Sequence, residues 1–322
     1  MTTERQAAFE QSASITRSAG DITGIASALR SGAEGPFAID LAAALARVAF
    51  AEPEKLARTY DAAVLGWFGA PVTGAVIDPP AFADTAPPSD LWPDFWRLVQ
   101  DSSGGIGALE ITPRTAMLGG HCPPAFAPRL GAACNAYPGV VEAAATGFPP
   151  RFELSDLAAC PDGSLGRRFH SQIVDNGFDL EVLDRDALAL ASLPAPHDYI
   201  NARMLQTHDL IHLTAGYHLT SLHEIGISAF QLAQCGHGYS AMFLSVVTAT
   251  AATSPQSAAL VFLLDVILGA WAHGRATPPM LGIPWETVWH LPIEAVRAQF
   301  GVTPFASPYP ADIIEQLRPV AA

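Results

Sequence analysis

Apolar positions recur with helical spacing along most of the chain, and the two-residue alternation that marks strands is scarce. Residues 2–30, 39–65 and 92–100 read as amphipathic helices, with Pro53 at the start of a helix or at a break between two of them. A loop rich in Pro, Asp and Gly is expected over 71–90. The stretch 101–124 reads as glycine-rich and irregular, and is the expected domain boundary. Helical spacing resumes at Ala125. Residues 126–146 read as one helix kinked at Pro138, and Ser155 opens a short helix closed by the turn Pro161-Asp162-Gly163. Helices over 164–176, 199–215 and 221–234 follow, with Gly177, Gly216 and Gly236 at their ends. Two strongly apolar helices at 239–252 and 257–272 precede a last short one at 293–300, ended by Gly301. With no βαβ alternation and no internal repeat, the pattern predicts an all-α multi-helix bundle.

Composition narrows the function classes. Half of the 322 residues are apolar, 15% are charged, and the mean hydropathy is +0.25, which excludes a disordered chain. A chain this long buries a core without disulfide or metal staples. The 31 acidic residues outnumber the 17 basic ones, giving a net charge of -14 and a pI near 5.0. Such a surface repels phosphate backbones, so no nucleic-acid partner is expected. Lys55 is the sole lysine, which leaves Schiff-base or phosphate-loop lysine chemistry almost nowhere to sit. Cys122, Cys134, Cys160 and Cys235 are too scattered for a zinc knuckle or a disulfide framework and read as buried thiols of a reducing cytoplasm. Glu4, Arg5 and Glu10 stand where a secretion signal needs an apolar run. The apolar runs 241–250 and 258–271 each fall short of the roughly 20 residues that span a bilayer. A soluble or peripheral protein is expected.

One segment carries chemistry: His208-Asp209, two residues, His212, eleven residues, then Glu224. His208 and His212 stand one turn apart on the same helix face, and Asp209 is turned from them by about 100°. If Gly216 ends that helix and the chain returns antiparallel, Glu224 comes back opposite the histidine pair. Two imidazoles and two carboxylates from adjacent helices make a divalent-metal site on a helix hairpin. The same residues also read without a metal. Ser221-x-x-Glu224 is a capping box, and the histidines could be satisfied core or surface residues. His218 and His223, in the hairpin loop, stand beside any such centre; His121, His170, His197, His237 and His290 read as ordinary histidines. A phosphohydrolase of His-Asp type, casting His170, His208-Asp209 and Asp265 on a metal, leaves His212 and Glu224 unexplained.

The run Tyr199-x3-Arg203-x4-His208-Asp209-x2-His212-x11-Glu224, followed by Phe230-Gln231-Leu232-Ala233-Gln234, resembles the ubiquinone (coenzyme Q) biosynthesis protein 4 family. Two further segments agree in order: Leu157-Ala158-Ala159-Cys160-Pro161-Asp162-Gly163-Ser164-Leu165-Gly166-Arg167, and Gly274-Arg275 with Leu281-Gly282-Ile283-Pro284-Trp285-Glu286 and Trp289. The resemblance implies an all-α fold and His208, Asp209, His212 and Glu224 as metal ligands. Zinc is the expected ion, with iron, manganese or cobalt as alternatives. It further implies removal of the C1 carboxylate of a polyprenylated 4-hydroxybenzoate coupled to hydroxylation there. Tyr199, Arg203 and Arg275 are then the candidates for contact with that prenylated aromatic substrate. The apolar stretches 242–247 and 260–268 are candidates to line its tail. Other quinone-biosynthesis proteins, a homodimer partner and a membrane surface are the expected contacts, with the protein cytoplasmic or peripheral on the inner membrane. A non-catalytic prenyl-lipid scaffold, or a paralogue acting on another aromatic or isoprenoid substrate, is the alternative.

The chain departs from the family in three places. Residues 1–110 have no counterpart and read as a helical extension ahead of a domain over 111–306 and a tail over 307–322. Arg275 is followed by Ala276-Thr277 where further basic residues are common, and Ile211 replaces the usual tryptophan between the histidines.

Overall fold

The computed structural model describes residues 2–33, 35–105, 107–254 and 258–317. Among them there are helices and no strand. In chain order these are α1 (Thr3–Ala13), α2 (Ala19–Arg30), α3 (Phe37–Phe50), α4 (Leu56–Phe68), α5 (Trp92–Ser103), α6 (Ala108–Leu118), α7 (Phe126–Cys134) and α8 (Val140–Ala144). They continue with α9 (Leu154–Ala158), α10 (Leu165–Asn176), α11 (His197–Ala215), α12 (Ser221–Cys235), α13 (Gly238–Thr253), α14 (Ala258–Ala276), α15 (Ile293–Phe300) and α16 (Ile313–Leu317). The all-α expectation holds.

Several expected single helices are pairs, each for a local reason. Residues 2–30 divide because Ser18 caps α2: its side chain accepts from the Asp21 N–H while the Asp21 carboxylate accepts from the Ser18 N–H. Residues 39–65 divide at Pro53, which lacks the N–H a continuing helix needs. Residues 126–146 divide at Pro138-Gly139, where Gly139 turns left-handed. The segment 101–124, expected to be irregular, contains α6, and the expected boundary at 110 lies inside a compact unit. The break expected over 254–256 falls partly outside the described residues.

The chain forms two compact units, and both are discontinuous in sequence. The first takes the chain up to Ala136 and again Ser228–Ala276; the second takes Tyr137–Ile227 and the chain from Thr277 onward. In the first, α13 packs on α3, α5 and α6, and α4 packs on α2 and α14. The apolar stretches expected to line a tail channel are core here: Leu244, Val246, Leu264, Val266, Ile267 and Leu268 are fully buried. An 18-residue window of α14 is long and apolar enough to cross a membrane by length and composition. The Asp265 carboxylate within it accepts from Trp67 Nε1–H at 2.9 Å and from Arg30 at 2.7 Å, as a core helix would require.

Buried charges in this unit are paired. Arg47 donates to both oxygens of Glu52, at 2.8 and 3.0 Å, and to the Ala13 carbonyl. Lys55 and the Thr85 N–H also donate to Glu52. Burial pushes the Glu52 carboxyl up, but hydrogen bonds from Arg47, Lys55 and Thr85 outweigh it and hold the group below its usual range.

In the second unit the segment 157–167 meets the chain at and just after the segment 281–289, while residues 230–234 and Gly274-Arg275 belong to the first unit. The Ser164 side chain caps α10 by accepting from the Arg167 N–H at 3.3 Å. The first two N–H groups of α10 donate to carbonyls of that later stretch: Leu165 to Leu291 at 2.7 Å and Gly166 to Trp289 at 2.9 Å. A Cβ on Gly166 would come within 2.6 Å of Cys160 Sγ and 3.0 Å of Trp289 Cβ, so only glycine allows that approach. Trp289 then stacks on Phe169, with ring centroids 6.1 Å apart. Against this frame α11 packs on α8, α10 and α15.

Candidate metal centre

α11 carries the histidine pair, and its opposite face is anchored. Arg203 is 4% exposed and donates to Gln206 Oε1 and to the Ile283 carbonyl, each at 2.6 Å, over the Phe152 ring. Gln206 in turn donates to the Pro150 carbonyl at 2.6 Å. At about 100° per residue, Arg203 stands opposite His212 on the helix, and Tyr199 stands opposite His208. Neither expected substrate contact therefore shares a face with the histidine pair. Arg275 lies in the other unit, where it pairs with Asp61 at 3.3 Å and donates to the Ala75 carbonyl at 2.6 Å. All three arginine and tyrosine candidates are thus committed to internal structure or turned away from the site.

The end of α11 is fully satisfied. Gly216 is left-handed, with φ 78°, and it and Tyr217 donate to the His212 carbonyl at 3.1 and 3.0 Å. Arg297 of α15 donates to the Leu213 and Thr214 carbonyls, both at 2.9 Å, and the Phe305 N–H to the Ala215 carbonyl at 2.8 Å. The last four carbonyls of the helix all have partners, one of them a cation where the helix dipole favours it. The chain then reverses into α12, whose first turn presents Glu224.

His208, His212 and Glu224 converge, one donor atom from each lying within 4.8 Å of the others. The two Nε2 atoms are 3.3 Å apart, and the Glu224 carboxylate oxygens lie 3.0 Å from His208 Nε2 and 3.2 Å from His212 Nε2. For bonds of about 2.0–2.1 Å, the donors of a tetrahedral ion stand roughly 3.3 Å apart, so the separations suit zinc. His212 is 2% exposed, and its Nδ1 lies 3.1 Å from the Tyr217 carbonyl, a pure acceptor, so that nitrogen carries the proton. Its Nε2 then turns a lone pair toward a carboxylate oxygen. Two acceptors at that range need a proton or a cation between them. The donor set fits a divalent ion.

Electrostatics agree. Burial opposes ionisation of Glu224, but its close contacts with the His208 and His212 rings outweigh it and hold its carboxyl far below the usual range. The capping-box role is not what Glu224 performs: the Ser221 N–H that it would accept donates instead to Glu315 Oε1 at 2.8 Å. Asp209 stands apart from the three converging donors. Its backbone carbonyl accepts from Gln172 at 2.9 Å, which ties α10 to α11, and burial pushes its carboxyl up, with the two imidazoles drawing it back and Glu224 adding to the rise. His223 is buried beside the centre, its Nδ1 accepting from the His218 N–H at 2.8 Å. Tyr217, Arg297, Phe305 and Glu315 support the site without a sequence signature. The single clue was Gly216, which marks where the helix must stop.

Residues 150–306 match the family model for the coenzyme Q (ubiquinone) biosynthesis protein Coq4. The ubiquinone biosynthesis protein COQ4 homolog of Rattus norvegicus, a mitochondrial protein by name, is 27% identical over 158 residues, which is 47% of this chain and 55% of the rat protein. The COQ4 protein of Mycosarcoma maydis is 28% identical over 179 residues, 47% of this chain and 48% of its own length. The chain thus spans about half the length of these relatives. A crystal structure from Nostoc punctiforme, of a protein assigned to ubiquinone biosynthesis, superposes with a TM-score of 0.50 at 22% identity. That superposition covers 66% of this chain and 97% of the other, and shows a shared fold. Through residues 150–306, just under half of its length, the chain is similar to the Coq4 family of ubiquinone biosynthesis proteins.

Proposed function

We propose that the chain acts in ubiquinone biosynthesis as a metal-dependent oxidative decarboxylase, taking the C1 carboxylate from a polyprenylated 4-hydroxybenzoate with hydroxylation at that carbon. The observation that carries this reading is the convergence of His208, His212 and Glu224 inside the family-matched region. Three protein donors would leave room on a bound ion for a substrate group, as catalytic sites do and closed structural sites do not. A divalent ion held there supplies a Lewis acid for an anionic group of the substrate, zinc without a redox role and iron, manganese or cobalt with one.

The chain's own residues do the rest. His212, fixed through Nδ1, and His208, one turn before it, would hold the ion from one helix, and Glu224 would hold it from the next. Asp209, next to His208 in sequence, stands near enough to interact with both imidazoles and with Glu224. A substrate carboxylate drawn to that centre places C1 and orients the ring. Deprotonation of the para-hydroxyl makes the ring electron-rich at C1. The bond to the carboxyl carbon then breaks and carbon dioxide leaves, while one atom of dioxygen becomes the new oxygen on C1 and the other leaves as water, so the ring ends at the quinone level and no further reductant is needed. The prenyl tail draws the substrate to a membrane surface, and the proposal puts the protein peripherally on the inner membrane beside other quinone-biosynthesis proteins. The rat and M. maydis relatives, mitochondrial by name, fit that compartment.

The test is release of labelled carbon dioxide from a prenylated 4-hydroxybenzoate carrying the label in its carboxyl group, in air. Metal-replete wild type should release it and Glu224→Ala should not. A metal-replete chain that holds prenyl lipid yet releases none would be a scaffold instead.

A further inference from the structure

The centre depends on one carbonyl, and a separate stretch of chain holds that carbonyl in place. Tyr217 offers its oxygen to His212 Nδ1 from the turn between α11 and α12. Such a turn, lying between two helix ends, has no regular structure of its own to fix it. Residues 302–317 run across it. The Phe305 ring stacks on the Tyr217 ring, with centroids 4.7 Å apart and planes 15° from parallel, and the Phe305 N–H closes the end of α11. His223 lies edge-on to both rings, 5.9 Å from Tyr217 and 5.8 Å from Phe305, with its Nδ1 tied to the next residue of the turn. Two residues farther along the turn, Thr220 Oγ1–H donates to the Ala311 carbonyl at 2.7 Å. The Ser221 N–H, which opens the helix bearing Glu224, donates to Glu315. Ala311 and Glu315 lie beyond the family-matched residues 150–306.

We infer that residues 302–317 form a strap that sets the metal affinity of the centre, with Phe305 as its positioning residue. This rests on the metal reading above. The strap reaches both halves of the donor set: it holds Tyr217, and through it the tautomer and aim of His212, and it holds the start of α12, and through it the approach of Glu224. Groups that orient a metal-bound histidine typically change affinity by about 10–100-fold when removed.

The experiment uses the full chain. Zinc affinity is measured by competition with a chromophoric chelator, and the visible spectrum of the cobalt-loaded protein reports ligand geometry. Phe305→Ala should weaken zinc binding about tenfold or more and alter the cobalt bands. Phe305→Tyr, which keeps the stacked ring, should restore both. If Phe305→Ala fails to fold, Thr220→Val carries the test, because it removes one hydroxyl from the strap contact and should still weaken zinc binding measurably. Zinc affinity and cobalt bands equal to wild type in the folded variant, even with a lowered melting temperature, would overturn the strap and leave the metal reading standing. A wild-type chain that binds no zinc would overturn both.

Discussion

His212 Nδ1 stands 3.1 Å from the carbonyl oxygen of Tyr217, five residues later, across the glycine that ends the helix. That contact converts a turn into an instruction about a side chain: the proton goes to Nδ1, and the lone pair on Nε2 faces His208 and Glu224. The geometry requires Gly216 to be left-handed, and a Cβ there would lie 2.7 Å from Pro304 Cβ.

Gly216→Ala should therefore destabilise the fold by at least about 1–2 kcal/mol, the cost of a left-handed alanine. It should also weaken metal binding, because Tyr217 follows directly. Denaturant melts of the metal-free protein, paired with a zinc titration, separate the two effects. A variant with unchanged affinity would show that the turn does not govern the histidine.

Much of this site was legible in the sequence, and the reason is local. His208 and His212 share a face because a helix repeats every 3.6 residues, and Gly216 places the reversal that returns Glu224. The same locality explains the ends of α10, α11 and α15, whose glycines Gly177, Gly216 and Gly301 are all left-handed. Nonlocal relations were not legible. Arg203 read as an anion contact because it precedes His208 by five residues, yet that spacing turns it toward Ile283 and Gln206 instead. Asp209 belongs to the motif without joining the three converging donors. The two interleaved units could not be read either, since their segments are brought together by packing rather than by adjacency in sequence.

Acid should expose the buried pair in the first unit. The Glu52 carboxyl lies below its unfolded value of 4.5, so its ionised form is favoured by the fold. Its contribution is complete above that pH and is lost as pH falls through the lower folded value. Glu52→Gln leaves Arg47 buried without its charge partner and should cost about 3 kcal/mol or more near neutrality. The difference from wild type should shrink as pH drops below 4.5, measured by urea melts at a series of pH values. A difference independent of pH would contradict the pairing.

The core thiols should be inert. Burial pushes Cys122 and Cys235 up to about 12 and raises Cys134 and Cys160 as well. Cys134 and Cys235 are buried, whereas Cys122 and Cys160 are half-buried, so alkylation of the native protein at Cys134 and Cys235 should be slow and should become fast on unfolding. Rapid labelling of the folded protein at Cys134 or Cys235 would count against the described core.

Elemental analysis of purified protein bears most directly on the centre itself. Wild type should carry one divalent ion per chain, and His212→Ala and Glu224→Ala should each lose it while keeping their helical content. Wild type without an ion, or a Glu224→Ala protein that retains one, would contradict the account.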